Sequence, residues 1–368
     1  MKITIERGQL LKALNHVQSV VERRNTIPIL ANVLLSAQDG QLSLTATDLD
    51  IEIVEGVPAD VARGGGTTAP AHTLYDIVRK LPDGAQVELD HDQDSGKVTL
   101  VAGRSRFALS SLPREDFPAA AAGDLPYMFE LSARDLLRLV EKTRFAISTE
   151  ETRYYLNGIY LHTVDGRLRA VATDGHRLAR VDLGLPQGAE GMPGVIVPRK
   201  TVSELLKLLE DGEAMVRVSV SDTKIRFEVG SVTLTSKLID GTFPDYGRVI
   251  PTGNDKSMEV DGKLFAAAVD RVSTISTERS RAVKLDLDDG RVMLAVNNPE
   301  SGSATEELGI DYRGDPLEIG FNARYLLDIT QQLDGPTARF ELSDAGSPTV
   351  VRDSDDADAL YVLMPMRV

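Results

Sequence analysis

The chain of 368 residues contains no cysteine, and this absence removes several kinds of chemistry. Without thiols there is no disulfide framework, no thiolate metal site and no cysteine nucleophile. Tryptophan is absent as well, and aromatic residues make up only 5% of the chain. No run approaches the roughly 20 apolar residues that a membrane-spanning helix needs, and residues 1–7 lack the apolar segment of a signal peptide. We therefore expect a cytoplasmic protein.

Positive charge is in the minority. The 41 Lys and Arg residues face 56 Asp and Glu residues, which gives a formal net charge of −15. Acidic proteins repel nucleic acid on average, so the sum argues against DNA. The hydrophobic content of 42% is that of an ordinary globular protein, and the length allows more than one domain.

What the chain does contain is one sequence unit three times over. Residues 1–24, 128–153 and 258–281 each begin with an alternating strand pattern and continue with apolar residues at helical spacing. A second shared block follows in each copy: residues 40–48, 166–174 and 290–298. Each of these blocks has an Asp-Gly turn before alternating strand residues, which is typical of a hairpin.

The repeats predict the fold class. Each copy has two predicted helices, with N-terminal capping signals at Thr73, Ser132, Thr201, Asp261 and Asn322. Short alternating strands surround them. We predict an α+β protein of three repeated domains, each with two helices plus antiparallel sheets, at residues 1–124, 125–252 and 253–368.

The distribution of charge restores DNA as a candidate ligand. The six predicted helices carry a net charge of +9 and the remainder carries −24; the helices are residues 7–24, 73–82, 134–144, 199–209, 263–273 and 323–333. If the helices share one face, that face suits phosphate while the acidic remainder repels it. The alternative is that Lys and Arg simply favour helices.

Six segments, in order along the whole chain, carry a resemblance to a known family. They are residues 24–30 (RNTIPIL), 153–158 (RYYLNG), 173–179 (TDGHRLA), 196–200 (IVPRK), 237–246 (KLIDGTFPDY) and 361–368 (YVLMPMRV). Together they resemble the bacterial DNA sliding clamps, the β subunits of DNA polymerase III. The resemblance implies a head-to-tail homodimeric ring with helices lining the central hole. It implies a processivity factor that encircles duplex DNA without reading its sequence, and that has no catalytic activity, cofactor or metal.

The resemblance also implies the partners and a pocket that receives them. The replicative polymerase, the clamp loader and other DNA-processing proteins would bind through short apolar linear motifs. A separate loader is expected because the chain has no Walker-type phosphate loop. The residues that match the partner-peptide pocket are Leu156, Thr173, Gly175, His176, Arg177, Leu178, Pro244, Arg248, Val249, Val362, Met364, Pro365, Met366 and Arg367.

Two further sets of residues are predicted. The positions associated with DNA contact are Arg24, Tyr154 and Tyr155, to which helix placement adds Arg79, Lys80, Arg138, Lys142, Arg199, Lys200 and Lys207. Adjacent residues of a strand face opposite ways, so one of the two tyrosines is expected in the core. The two sides of the dimer interface match Phe107 and Leu109, and Thr274 and Ile275; ordinary core packing is the competing interpretation for Phe107.

Other functions compete with the clamp. Asp174 and His176 could serve an enzyme as acid and base, and Asp48, Asp50 and Glu52 could bind a cation if they share one strand face. An Asp-Gly turn and an exposed acidic strand are the simpler interpretations of these two groups. The third possibility is an interaction scaffold that never encircles DNA.

Overall fold

The computed structural model describes residues 1–92, 95–118, 123–210, 212–276 and 281–368. Its α helices come in three pairs, one pair per sequence copy, as predicted. They are α1 Arg7–Gln18, α2 Ala71–Lys80, α3 Ala133–Arg144, α4 Arg199–Leu208, α5 Gly262–Ser273 and α6 Ala323–Thr330. None of the helices in the described ranges has the length and apolar composition to span a membrane.

The strands are short and, where they pair, antiparallel. In chain order they are β1 Lys2–Glu6, β2 Asn32–Gln38, β3 Gln41–Thr47, β4 Ile51–Pro58, β5 Asp60–Arg63, β6 Gly65–Pro70, β7 Gln86–Asp92, β8 Lys97–Ala102, β9 Ser105–Ser110, β10 Tyr127–Ser132, β11 Gly158–Val164, β12 Arg167–Thr173, β13 Arg177–Gly184, β14 Val195–Pro198, β15 Met215–Val220, β16 Lys224–Val229, β17 Val232–Lys237, β18 Lys256–Asp261, β19 Ala282–Asp288, β20 Arg291–Asn298, β21 Gly302–Gly309, β22 Asp311–Arg313, β23 Leu317–Asn322, β24 Thr337–Leu342, β25 Thr349–Asp353 and β26 Ala359–Leu363.

The chain divides into two compact units, which do not coincide with the three copies. Unit 1 comprises residues 1–137, 186–193 and 200–238. It contains a five-stranded sheet in the order β5-β1-β7-β8-β9 and an eight-stranded sheet in the order β10-β15-β16-β17-β4-β3-β2-β6. The pairing of β17 with β4 joins strands of the first and second copies in one sheet.

Unit 2 comprises residues 138–185, 194–199 and 239–368. Its nine-stranded sheet has the order β14-β11-β12-β13-β26-β25-β24-β18-β22, and its four-stranded sheet the order β21-β20-β19-β23. Here β13 pairs with β26, so the second and third copies share a sheet in the same way. The compact units differ from the sequence copies because each large sheet contains strands of two copies.

Alternation of apolar and polar residues places one face of each sheet against its helices. In β1 the side chains of Ile3 and Ile5 are buried, and α1 buries Leu10, Leu14 and Val17 on one stripe. Burial of each such side chain stabilises the fold by about 1.5–3 kcal/mol, which is what holds these short helices in place.

The predicted hairpins are confirmed in all three copies. β2 and β3, β11 and β12, and β19 and β20 are each joined by a two-residue Asp-Gly loop. In the first two copies both loop residues have positive φ, for example 52° at Asp39 and 76° at Gly40, as a type I′ turn requires.

The helix starts are partly as predicted. Ser132, Asp261 and Asn322 accept hydrogen bonds from the first turn of their helices. The predicted caps at Thr73 and Thr201 are wrong. α2 begins two residues before Thr73, directly after Pro70, and Thr201 lies buried inside α4, where its hydroxyl hydrogen-bonds to Ser236 at 2.7 Å.

The first helix is shorter than predicted. α1 ends at Gln18 rather than at residue 24. The buried pair Val20 and Val21 follows, and two consecutive β-branched residues have little preference for a helix. Arg24 therefore lies after the helix, in the exposed segment that leads to a short 3-10 helix at Pro28–Ala31.

Candidate functional site

The loop between β12 and β13 is a rigid turn. The Thr173 hydroxyl donates to the carbonyl of Arg177 at 2.7 Å and accepts from the Gly175 N–H at 3.1 Å. One Asp174 carboxylate oxygen accepts the N–H groups of His176 and Arg177 at 2.9 and 3.0 Å. Gly175 has a φ of +89°, which a residue without a Cβ adopts at no cost.

The Arg177 side chain is fastened beneath this loop. Its guanidinium contacts the carboxylates of Asp174 and Asp328 at 3.2 and 2.5 Å and donates to the Phe145 carbonyl at 2.7 Å. It also lies over the ring of Tyr325, 4.2 Å from the centroid. With this many partners, Arg177 positions the loop against α6 and has little hydrogen-bonding capacity left for a ligand.

Apolar side chains continue from the loop along one face of the nine-stranded sheet. Leu178 of β13 lies directly opposite Val362 of β26. Both belong to a buried cluster that also contains Leu156 and Phe243. At the surface nearby, Pro244 and Val249 are exposed, and Val249 lies in a 3-10 helix at Tyr246–Val249. Leu156, Leu178, Pro244 and Val249 of the predicted pocket therefore lie on or beside one sheet face, whereas Arg177 points to the opposite face.

The C-terminal tail runs alongside the loop. The Met364 N–H donates to the carbonyl of His176 at 2.9 Å, and the Met366 N–H donates to the carbonyl of Gly320 at 2.7 Å. Both methionine side chains are partly exposed, and methionine adapts to varied apolar ligands. A Cβ at Gly320 would lie only 2.2 Å from Val368, so glycine is what allows this close approach. Pro365 and Arg367 complete the tail.

The acid–base pair considered for Asp174 and His176 as the alternative to a pocket does not form. The Asp174 carboxylate is occupied by the loop's own N–H groups and by Arg177, while His176 is exposed and stacks on Tyr325 with ring centroids 6.4 Å apart. Among the residues described, no group of His, Cys, Asp and Glu could hold a metal ion. The arrangement is suited to binding apolar side chains rather than to proton transfer.

The first copy contains an equivalent cleft with different chemistry. Thr47 donates to Ile51 as Thr173 does to Arg177, and Leu49 has a φ of +78° where the second copy has Gly175. Glu52 lies opposite Thr235 where the second copy pairs Leu178 with Val362. The cleft has a volume of about 370 Å³ and is also lined by Arg226 and Lys237. Burial raises the pKa of Glu52, and this polar lining does not favour apolar side chains.

The cation site considered for Asp48, Asp50 and Glu52 is wrong in its geometry. β4 begins only at Ile51, so Asp48 and Asp50 lie in the preceding loop and do not share a strand face with Glu52. The Asp48 carboxylate accepts two backbone N–H groups of its own loop and contacts Lys200. It closes a turn.

The candidate DNA contacts fall into two groups. The exposed ones are Arg24, Arg79, Lys80, Tyr154, Arg199 and Lys207. Two of these are also in ion pairs with their own helix, Arg79 with Asp76 at 3.0 Å and Lys207 with Glu204 at 2.9 Å. The Arg79 pair is exposed on both sides and exchanges readily with solvent and ligands, whereas the Glu204 carboxylate that holds Lys207 is buried.

The remaining basic candidates are engaged inside the protein. Lys142 is wrong as a DNA contact because its side chain is only 8% exposed and its ammonium pairs with Asp334 at 2.8 Å and Asp356 at 3.4 Å. Arg138 pairs with Asp356 at 2.6 Å, and Lys200 pairs with Asp48. Lys142 and Asp356 are both buried, and breaking a buried pair is costly, so Lys142 stabilises the fold instead. The side chains of Arg138 and Lys200 are 24% and 38% exposed, so both stay predicted DNA contacts.

The two tyrosines do not lie in a strand. Residues Glu151–Leu156 form a 3-10 helix, so the strand argument for their orientation is wrong. Tyr154 is nevertheless exposed while Tyr155 packs on the buried cluster, and the two rings meet edge to face at 5.8 Å.

The dimer candidates lie near two open sheet edges. Phe107 and Leu109 belong to β9, the edge strand of the five-stranded sheet in unit 1, where Phe107 is only partly buried. Thr274 and Ile275 follow α5 in unit 2, which packs on β20 and β21, and β21 is the edge of the four-stranded sheet.

The chain matches three family models in succession. They are the N-terminal, central and C-terminal domains of the DNA polymerase III beta subunit, at residues 1–121, 130–245 and 247–367. The chain belongs to the bacterial sliding clamps. It is 58% identical to the beta sliding clamp of Caulobacter vibrioides and 42% identical to that of Escherichia coli, over the whole of each chain. The structure of a DnaN sliding clamp from Bartonella birtlesii bound to griselimycin has a TM-score of 0.98 and 55% identity, with full coverage of both chains.

Membership of the sliding clamps confirms the fold class and the absence of catalytic activity. A sliding clamp is a processivity factor of DNA replication. Sequence reasoning missed Tyr325, Asp328 and Gly320, which fasten Arg177 and the tail. Of these, only Gly320 gave a signal, since a glycine inside a strand pattern indicates a close backbone approach.

Proposed function

We propose that this sliding clamp works as a closed head-to-tail homodimer that encircles duplex DNA and tethers the replicative polymerase. The open sheet edges support the dimer. Within the chain, β4 pairs with β17 and β13 pairs with β26. The repeats make β21 the third-copy equivalent of β4 and β13, and β9 the first-copy equivalent of β17 and β26. β9 and β21 are edge strands of their sheets, so a partner subunit completes the pattern.

The repeat symmetry also specifies the register of this contact. Within the chain, Leu178 of β13 pairs with Val362 of β26. The equivalent pair across the dimer is Ser303 of β21 in one subunit and Ala108 of β9 in its partner. One residue further along, Phe107 of one subunit faces Ala304 of its partner, and two residues further along Arg106 faces Thr305. In this register the partly buried faces of β9 and β21 coincide, as a shared core requires.

Disulfide trapping tests the dimer, because the chain has no native cysteine. Arg106→Cys combined with Thr305→Cys should give a covalent dimer under mild oxidation. The pair Arg106→Cys with Glu307→Cys, two residues out of register on the same face, is the control. Equal trapping by both pairs, or a monomer in sedimentation at micromolar concentration, would show that the proposed interface is wrong.

The double variant Leu109→Ala with Ile275→Ala should give monomers in sedimentation, because it removes apolar side chains from both sides of the proposed interface.

DNA would be held by the ring and by phosphate-directed contacts. The exposed candidates are Arg24, Arg79, Lys80, Tyr154, Arg199 and Lys207. Phosphate contacts carry no sequence information, so the closed ring can slide. Retention on nicked circular plasmid that is lost on linearisation is expected; a scaffold that never encircles DNA would show no such difference.

The partner pocket would be the apolar sheet face of unit 2 with the C-terminal tail. Leu178, Val362, Pro244, Val249 and Met364 would accept Leu and Phe side chains of a short extended peptide. Burial of two such side chains is worth roughly 3–6 kcal/mol before ordering costs, which fits exchangeable binding by polymerase, clamp loader and other DNA-processing proteins. The polar cleft of the first copy supports one such site per chain.

The remaining assignments rest on the same family. We place the three domains at residues 1–124, 125–252 and 253–368 and the working clamp in the cytoplasm, where DNA replication takes place in bacteria.

A further inference from the structure

A second cleft on unit 2 has no part in the roles described above. It has a volume of about 660 Å³ and is lined chiefly by Tyr160, His162, Arg169, Arg180, Phe243 and Tyr246. Arg169 and Arg180 come from β12 and β13, on the same sheet face as Leu178. We name it the arginine cleft.

One wall of the arginine cleft is aromatic. The Tyr160 ring is stacked between Phe243, at 4.8 Å with nearly parallel planes, and His162, at 4.5 Å. The Tyr246 hydroxyl accepts from Arg169 at 3.1 Å and lies 2.9 Å from His162 Nε2. Burial, reinforced by Arg169, lowers the pKa of His162, so its neutral ring can accept the Tyr246 proton. The wall is therefore flat and uncharged at neutral pH.

Beside the aromatic wall, on β12 and β13 of the same sheet face, the cleft has one more positive than negative charge among Arg169, Arg180 and Asp182. Arg169 holds Asp182 through two hydrogen bonds of 2.6 and 2.9 Å. The nearest approach of Arg180 to that carboxylate is 3.9 Å, too long for a hydrogen bond. Within the described part of the chain, the buried Arg180 Nε has no hydrogen-bond partner. The other carboxylate of the cleft, Asp245, pairs with Arg248 at 2.8 Å.

The Arg180 side chain is 23% exposed and its nearest carboxylate lies 3.9 Å away, so its guanidinium is a site for a further carboxylate. Burial, followed by the nearby Arg169, lowers the pKa of Arg180, and the opposing effect of Asp182 is smaller. Arginine binds carboxylates through two parallel N–H groups, and a buried charge gains most from such a partner. A single negative charge matches the single excess cation, whereas a doubly charged phosphate would meet Asp182 and Asp245.

The neighbouring pocket indicates where the carboxylate comes from. Arg180 lies two residues after Leu178 on the same face of β13, about 6.6 Å away along the strand. Side chains on one side of an extended peptide have the same spacing. Tyr160, Phe243 and Tyr246 also pack in the apolar cluster of Leu178 and Val362, so the two sites are continuous.

We propose that the arginine cleft is a carboxylate subsite in which Arg180 binds an acidic side chain that flanks the apolar anchors of a partner peptide. The proposal rests on the proposed function of the adjacent pocket. It makes that pocket selective for partners with Asp or Glu beside their Leu and Phe anchors.

Paired peptides test the subsite. Each peptide carries the Leu and Phe anchors, with Glu or Gln placed in turn at the flanking positions on either side, and binding is measured by titration. At one position the Glu peptide should bind about fivefold more tightly than its Gln twin. Arg180→Gln should remove this preference while leaving affinity for the Gln peptide unchanged. Arg339→Gln is the matched control, since Arg339 lies on the same sheet but does not line the cleft.

The outcomes separate the two proposals. If the Gln peptides bind and no position prefers Glu, the subsite is overturned and the pocket stands. If no peptide binds, the pocket fails and the subsite with it. Wild-type protein gives a second measurement should Arg180→Gln misfold: excess phenylacetate should abolish the Glu preference, and phenylacetamide should not. A preference that survives phenylacetate also overturns the subsite.

Discussion

Leu49 has a left-handed backbone conformation, which is unfavourable for a residue with a Cβ. Its φ is +78° and nearly half of its side chain is exposed, so neither the backbone nor burial favours leucine here. For residues with a Cβ this conformation costs about 1–2 kcal/mol, and strain of this kind tends to occur at functional loops. The equivalent residue in the second copy, Gly175, adopts the same conformation without strain.

Replacement of Leu49 should therefore stabilise the protein. Asn tolerates positive φ, so we expect Leu49→Asn to raise the free energy of unfolding by about 1 kcal/mol, measured by urea denaturation. Leu49→Ala is the control, because it removes the exposed side chain without supplying the local hydrogen bonds that let Asn adopt positive φ. If Asn and Ala have the same effect, backbone strain is not the reason.

Gly320 permits the contact between β23 and the C-terminal tail. We expect Gly320→Ala to displace Met366 and Val368 and to weaken binding of a Leu- and Phe-containing peptide about tenfold, because the new Cβ would overlap both residues. Gly309→Ala, where a Cβ has nothing within 4 Å, is the control. Unchanged peptide affinity in Gly320→Ala would mean that the tail position does not shape the pocket.

Individual residues were the least predictable part of the site. Motif resemblance brought Arg177 into the candidate sets and helix placement brought Lys142, but neither could show the partners of these side chains. Asp328 and Asp334 are distant in sequence, and an ion pair between distant residues depends on how the chain packs. The residue types therefore indicated charge, and only the structure distinguishes a contact residue from a positioning one.

Among the elements, the C-terminal tail is the most informative to remove. Deletion of residues 364–368 should abolish peptide binding, because it removes Met364 from the pocket and frees the carbonyls of His176 and Gly320. The dimer should persist, since β9 and β21 are untouched. Arg313→Ala, at an exposed position of β22 four strands from β26, is the control. Equal peptide affinity of the truncated and full-length proteins would place the pocket elsewhere.

Elements whose apolar residues recur at regular helical or strand spacing were predictable, and elements that depend on contacts distant in sequence were not. All six helices were expected from their apolar stripes, and α3 was expected to within one residue. The segment Glu151–Leu156 was expected to be extended but forms a 3-10 helix. Its end is held by a hydrogen bond from the Ser148 N–H to the Leu156 carbonyl and by packing on the buried cluster, neither of which leaves a periodic pattern.

For the whole molecule, the net charge of −15 contrasts with the exposed basic residues that we propose face DNA. We expect retention on circular DNA to fall steeply with salt and to be independent of sequence, because the contacts are to phosphates. Arg24→Ala should reduce retention at a given salt concentration without altering the thermal unfolding midpoint. Arg313→Ala, an equally exposed arginine on β22, is the control. Base-specific protection in a footprint would contradict this prediction.

The number of repeats was predictable from the sequence, but the way they share their sheets was not. Internal repetition gave three copies with two helices each. Nothing in the alternating patterns of β4 and β13 indicates which strand lies beside them, because a strand buried on one face looks the same at a sheet edge or inside.

The pairing of β13 with β26 has a consequence for how the protein is made. β13 ends at Gly184, whereas β26 spans Ala359–Leu363, close to the last residue. At translation rates of about 5–20 residues per second, the edge of β13, including Leu178, stays unpaired for roughly 10–35 s before β26 is synthesised. During synthesis the nascent chain therefore exposes the surface that we propose binds partners. Chaperones that cover apolar strand edges are expected to act on this protein until β26 emerges from the ribosome.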